Sequence, residues 1–436
     1  MLIALPSAAL AAPAIQEFPL PTAGAQPQDI VEGLDNNIWF TERGASKIGR
    51  VVGTTITEFP VAAGTTAPDI IVVGPDGALW YTQANGVGRM PPGNPAGATF
   101  FSLGMSGPRG IAVGSDGNLW VADATNNRVV RLSTAGAPVG TPIPLPPGFN
   151  ARGIAKGADG NMWVGNFSTP GSVARITPAG TVTNFPVPAG SPIDVIAGSD
   201  GNIWYAGQGT SVGKVTPGGT ATAFTSKGVD PFGITVGPDK AIWFAEFQAN
   251  AVGRVDAAGT TSHVTGMTAG AGPRYASAGP GGTIWFTEET GNRVGRVTGI
   301  PLPGGAGGTK DTVNPKLGTV RLSTRRPRSG GTITIRYRLS ELATVTLVFQ
   351  RALPGRKAGK RCVKPKRSNR GRKRCTRYVV VKPKLTFANQ PAGPGTIRFT
   401  TRVRPGKFRL SLGARDSAGN RAKTFAVSIT VRPRKR

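Results

Sequence analysis

A single histidine, His263, occurs in 436 residues, with only two cysteines, Cys362 and Cys375. One imidazole cannot build a multi-histidine metal centre, and two thiols fall short of the four ligands of a structural zinc site. No apolar run reaches the length of a membrane-spanning helix. Long stretches of Leu, Ala, Glu and Lys are also missing, because 63 glycines and 38 prolines punctuate the chain. That punctuation argues against a helical protein and for short strands joined by turns. The expected fold class is all-β, and 39% hydrophobic residues suffice for more than one core.

Acid is scarce at one end only. Residues 304–436 hold 35 Lys and Arg against 3 Asp and Glu, whereas residues 1–303 hold 17 against 19. The net charge of +30 therefore belongs to the C-terminal part, which predicts at least two domains. The opening run MLIALPSAALAAPA is uncharged, apolar and closes on small residues that include Ala9-Leu10-Ala11. It resembles the latter half of a secretory signal without the basic n-region. Residues 1–13 are expected to be a signal remnant with the true start upstream, the plainer alternative being a disordered apolar terminus. The expected location is secreted or envelope-associated. In an exported protein Cys362 and Cys375 would pair, closing a loop of roughly 14 residues and contributing about 3 kcal/mol.

What the chain has in abundance is one phrase: VGSDGNLWVAD (113–123), KGADGNMWVGN (156–166), AGSDGNIWYAG (197–207) and four variants. All seven tryptophans lie in it: Trp39, Trp80, Trp120, Trp163, Trp204, Trp243 and Trp285. A period of about 40 residues with several short strands per unit is the mark of a β-propeller, and seven copies predict seven blades over 14–303. The Asp-Gly pairs place Asp76, Asp116, Asp159 and Asp200 at tight turns. A calcium role for them is disfavoured, since each turn offers one carboxylate where a cage needs several oxygens. TITEFPV (55–61) and TVTNFPV (181–187) read as outer strands. AIQEFPL (14–20) precedes the first full repeat, so this N-terminal strand is expected to complete the last blade and remove an exposed edge. The tryptophans read as blade-to-blade packing. The recurrent Arg50, Arg89, Arg131, Arg175, Lys214, Arg254 and Arg296 read as structural too.

IWFTE, NRVGRV and TEFPV follow the order Gly-Pro-Asp-Gly-x-x-Trp-Phe-Thr-Glu, then Val-Gly-Arg-Val, then Thr-x-Thr-Glu-Phe-Pro. In this they resemble the streptogramin B lyase (virginiamycin B lyase) family over 14–303. The resemblance implies Mg²⁺-dependent linearisation of cyclic depsipeptides, in which a base removes the proton alpha to an ester carbonyl. Imidazole suits that work. Yet the two positions that the resemblance assigns to histidine hold Phe232 and Arg274, and that of a metal-associated glutamate holds Gly272. One group of four is retained, Glu289, the candidate catalytic residue. His263 lies in an expected outer strand, away from the pore.

Function should sit where the blades differ, on the face opposite the Asp-Gly turns. The residue after the inner-strand proline, or its equivalent, is Gln28, Asp69, Arg109, Arg152, Ile193, Phe232 and Arg274. The third residue after each tryptophan is Glu42, Gln83, Asp123, Asn166, Gly207, Glu246 and Glu288. The expected mouth is polar. Arg109, Arg152 and Arg274 would clamp a carboxylate or phosphate and Phe232 would stack on a sugar or peptide ring, with Glu42, Asp123, Glu246 and Glu288 around them. Alternatively the arginines merely neutralise Asp123, Glu246 and Glu288 in a solvated rim. The runner-up is a working lyase around Glu289, Glu288 and Arg274, with Mg²⁺ as cofactor. A calcium-dependent, gluconolactonase-like hydrolase would draw on Glu42, Asn166 and Glu288.

PLPGGAGGTKDT (301–312) reads as flexible, giving a Gly-rich linker over 304–315. Over 316–436, TITIRYRLS, ATVTLVF, TIRFTTRV, KFRLSLGARDSAGN and KTFAVSITV alternate apolar and polar residues as sandwich strands do. They resemble bacterial Ig-like (fibronectin type III-like) domains. GRKAGKRCVKPKRSNRGRKRCTRY (355–378) reads as a basic loop pinned by the cysteines. It is expected to attract a polyanion: an envelope polymer or anionic lipid before nucleic acid, the alternative being a solubilising surface without a partner.

Overall fold

Gly114, Asp116 and Trp120 show why the phrase is repeated. A Cβ on Gly114 would collide with the indole of Trp120, so only glycine lets the ring lie across the turn. Asp116 accepts the indole N–H at 3.1 Å, and the guanidinium of Arg131 covers the ring at 5.1 Å. The same acceptor serves Trp39, Trp80, Trp163, Trp204 and Trp243, through Asp35, Asp76, Asp159, Asp200 and Asp239. A basic residue covers each of the seven indoles at 5.1–6.0 Å. Trp285 is the exception in its turn: Gly281 and Gly282 both take φ +76°, and its indole N–H is buried without an acceptor.

The structure is a computed structural model that describes residues 12–301 and 314–433, apart from 341–342, 360, 382–384, 391–392, 402 and 416–419. Most of the expected signal remnant and linker thus lie outside the described residues. The chain divides into two compact units, 1–306 and 307–436.

In the first unit, seven four-stranded antiparallel sheets follow one another between Ala14 and Thr298. Blade 1 comprises Pro27–Glu32, Ile38–Glu42, Lys47–Val52 and Thr55–Pro60. Blades 2 to 7 begin with inner strands Ile71–Val73, Pro108–Val113, Ala151–Lys156, Pro192–Ala197, Pro231–Val236 and Pro273–Gly279. Each inner strand touches the next, and the last touches the first, so the sheets close into a propeller. The N-terminal strand Ala14–Pro19 pairs with Arg293–Thr298 and supplies the outer strand of blade 7. The tryptophans pack between blades: Trp39 meets Leu79 and Tyr81 of blade 2, and Trp120 meets Ile154 and Val164 of blade 4. Each such burial is worth on the order of 5 kcal/mol in transfer free energy.

The second unit is a β-sandwich. One sheet holds Leu317–Leu322, Thr332–Leu339 and Gly393–Thr400; the other is built on Ala343–Ala358, which pairs with Leu385–Gln390 and with Gly406–Arg415, the latter pairing in turn with Phe425–Val431. Alternation places Ile333, Ile335, Val345, Leu347, Phe408, Leu410 and Leu412 in one core, with Phe349 stacked on Phe408 at 4.7 Å. Half of the stretch expected to be a basic loop is strand. Ala343–Ala358 runs on into it and pairs with Arg361–Val363 and Arg374–Val380, with Cys362 bonded to Cys375. These arm strands carry no apolar alternation, because much of the arm faces solvent.

Candidate functional site

The mouth is set by hydrogen bonds that tie the end of one blade's second strand to the start of the next blade's inner strand. The Thr41 hydroxyl donates to the Asp69 carbonyl, and that of Thr287 to the Gln28 carbonyl. The residue after the inner-strand proline is thereby fixed to a rigid ring. Gln28 and Ile193 are turned in and buried, whereas Arg109 keeps a side chain 36% exposed and Arg274 one 25% exposed.

Two of the three mouth arginines have carboxylate partners. Arg109 meets Asp69 at 3.2 Å, and Arg274 meets Glu289 at 3.2 Å. Arg274 also lies over Phe232 at 4.0 Å and near Phe247 at 5.7 Å. Arg152 differs. It lies over Phe167 at 4.7 Å and no carboxylate among the described residues pairs with it; a buried Nε without a hydrogen-bond partner it shares with Arg274. Burial, then the neighbouring Arg109, pulls its pKa below the ordinary guanidinium value; Tyr275 and Asp69 oppose this and Arg274 adds to it. The three cations therefore share one electrostatic neighbourhood.

The acids expected beside them are not at the surface. Glu42, Asp123, Glu246 and Glu288 are each 0% exposed. The last side chain of the second strand points beneath the loop that leads to the inner strand, where loop N–H groups or interior charges face it. Asp123 accepts from Ser106 N at 2.8 Å and pairs with Arg128; Glu246 accepts from Gly228 N at 2.9 Å and lies 3.4 Å from His263 Nδ1. Burial, then Glu58, pushes Glu42 up to about 8; burial, then Glu17, does the same to Glu288. The expectation of these four as mouth residues is corrected: all four are buried, Asp123 and Glu246 on loop N–H groups, Glu42 and Glu288 with no hydrogen-bond partner. Asn166 also accepts from a loop N–H, that of Asn150, at 2.8 Å. Among the described residues no three His, Cys, Asp or Glu side chains cluster at metal-binding distance.

Below the mouth runs a channel of about 450 Å³, lined largely by aliphatic residues of the inner strands. Asp29, Asp194 and Tyr275 stand in it and were not singled out in the sequence. Asp29 accepts from Ile30 N at 2.7 Å and from Ile71 N of the next blade at 2.8 Å. Asp194 accepts from Val195 N and from Ile234 N of the next blade. Burial raises Asp29 well above the usual carboxylate range and Asp194 to about 7, against the pull of those bonds. At the equivalent place blades 3, 4 and 6 have Gly110, Gly153 and Gly233, whereas blades 1, 2, 5 and 7 have Asp29, Ile70, Asp194 and Tyr275.

The donor set at the mouth does not suit Mg²⁺. The one retained acid, Glu289, is engaged by a guanidinium. Gly272 brings no carboxylate and takes φ +59°, a conformation that side chains disfavour, and a Cβ there would meet the Thr290 hydroxyl.

The family profile described as Virginiamycin B lyase family matches residues 10–148 and 141–301. No curated protein matches the sequence. Among solved structures, a streptogramin B lyase is 27% identical, with 66% of this chain and 97% of that one covered and a TM-score of 0.61. Virginiamycin B lyase from Staphylococcus aureus is 26% identical, with 66% and 99% covered and the same TM-score; one of its structures is a catalytically inactive variant with quinupristin. With a closed propeller and a profile match over two thirds of its length, the chain belongs to the virginiamycin B lyase family.

Proposed function

We propose that the protein is an exported propeller that binds an anionic ligand at Arg109, Arg152 and Arg274, and that it does not carry out the elimination of the streptogramin lyases. Arg152 carries the reading. It is already partly desolvated and faces two further arginines without a carboxylate of its own, so a carboxylate or phosphate would gain charge-assisted hydrogen bonds there at reduced desolvation cost. Phe167, Phe232 and Phe247 favour a ligand with a flat apolar part, such as a sugar or peptide ring. The disulfide supports an oxidising location, and the sandwich is read as Ig-like. No described helix is long and apolar enough to cross a membrane.

The test is calorimetric titration with aromatic and aliphatic carboxylates and phosphate esters. Binding that Arg152→Met abolishes supports the reading; binding that survives the change refutes this site. The lyase reading keeps one observation in its favour, the retained and partly exposed Glu289.

A further inference from the structure

We infer that the disulfide-closed arm of the sandwich is a docking surface for a linear phosphodiester polymer of the cell envelope. Ala343–Ala358 pairs with Gly406–Arg415 only as far as Arg351. Beyond that, it continues as the middle of an arm, between Arg361–Val363 and Arg374–Val380. The Cys362–Cys375 bond ties the two outer arm strands together. Seven of the twelve residues it encloses are Lys or Arg, and among them Arg367, Arg370, Arg372 and Arg374 are exposed.

The enclosed loop is ordered without using carboxylates. Asn369 accepts from Lys366 N at 2.8 Å and donates to the Lys364 carbonyl at 3.0 Å. The Arg356 guanidinium donates to the Arg372 carbonyl at 2.9 Å, and Lys357 N donates to that of Lys373 at 2.9 Å. The three acids of this end of the chain, Asp311, Glu341 and Asp416, all lie outside the described residues, and among the described residues ion pairs occur only in the propeller.

Like charges this close lie within one Debye length, roughly 10 Å at 0.1 M salt, so they repel, and covalent closure holds them together. A polyanion relieves that repulsion and releases condensed counterions. Arg367 opens a 3-10 turn, Arg370 and Arg372 follow in the turn and bend after it and Arg374 begins a strand, so the four guanidiniums are carried by one closed loop. Arginine forks favour phosphate oxygens, which bind bidentately. The choice of an envelope polymer over nucleic acid rests on the exported reading proposed above, through the disulfide.

The experiment uses the full chain and fluorescently labelled poly(glycerol phosphate), titrated by anisotropy from 50 to 300 mM salt, with oligothymidine of equal charge as comparator. For about four phosphates contacted, log K should fall against log salt with a slope of about −3. Replacing Arg367, Arg370, Arg372 and Arg374 with Gln should weaken binding at least tenfold and flatten the slope. Cys362→Ser with Cys375→Ser, charges intact, should weaken it severalfold by freeing the loop. Unchanged affinity in the four-Gln variant, or oligothymidine bound tenfold more tightly than the glycerol polymer, would overturn the inference. Thiol labelling in cells separates the two readings: free, reactive cysteines would overturn export, whereas oxidised cysteines with no polymer binding would overturn only the docking surface.

Discussion

Arg274 lies over Phe232, its guanidinium carbon 4.0 Å from the ring centroid, while the same group holds Glu289 at 3.2 Å. Stacking and ion pairing together occupy three of the four positions that would carry elimination chemistry in a lyase. Glu289 would have to leave its guanidinium before taking a proton from a substrate carbon.

The first prediction follows from that pair. Incubated with quinupristin and Mg²⁺, the protein should leave the substrate intact in liquid chromatography with mass spectrometry, using an active lyase as control. Phe232→His with Arg274→His should remain inactive, because Gly272 still supplies no carboxylate. A new peak of unchanged mass from the wild type, lost in Glu289→Gln, would sink the non-enzymatic reading.

Arg152→Met should separate binding from folding. The guanidinium rests on Phe167 and has no carboxylate to orphan, so urea denaturation should place the variant within about 1 kcal/mol of wild type. Affinity for an anionic ligand found by titration should fall at least tenfold, about 1.4 kcal/mol. A variant that binds as well as wild type would move the site elsewhere on the ring.

Much of this was legible in the sequence. Period and turn chemistry announce the blades, and the strand order around the ring locates Arg109, Arg152 and Arg274 without coordinates. Glu42 and Glu288 were not legible as buried groups. Their exposure depends on a loop folding back over the second strand, a non-local event that leaves no local pattern. Arg374–Val380 was missed for a related reason: an exposed arm needs no alternation, so its strands look like a charged loop. Asp29 and Asp194 occupy a position that varies from blade to blade, and only coordinates show that each bonds an N–H of the next blade.

Turn aspartates should differ in worth according to what they hold. Asp239 accepts the Trp243 indole at 2.9 Å and pairs with Arg254 at 2.7 Å, whereas Asp159 holds the Trp163 indole at 3.3 Å and the Asn161 side-chain amide at 2.8 Å and has no ion pair among the described residues. Asp239→Ala leaves a buried indole N–H and a guanidinium without partners, so it should cost about 2–3 kcal/mol, and Asp159→Ala about 1–2. Urea denaturation of both variants checks the order; equal losses would mean that the Arg254 ion pair is worth no more than the Asn161 hydrogen bond.

Stability should fall as pH rises through neutrality. Glu42 and Glu288 are pushed up to about 8 by burial, then by Glu58 and Glu17 respectively; Glu32 reaches about 7 through burial, then Asp35, and Asp194 about 7 through burial. A carboxyl whose folded pKa exceeds its unfolded value binds more protons when folded. Its contribution is complete below the unfolded value, near 4.5 for glutamate, and is lost as pH rises through the folded value. Glu17 and Glu58 act in the opposite sense. Although burial opposes it, hydrogen bonds from Thr268 and from Lys47 with Thr22 hold them below the usual value, so their contribution disappears as pH falls. The optimum should therefore lie near pH 5, with the Tm lower at pH 8.5 by at least about 5 °C. Glu42→Gln keeps a neutral group in the same space and should flatten part of that slope. A Tm that rises steadily from pH 5 to 8.5 would show that these carboxyls stay ionised inside the blades.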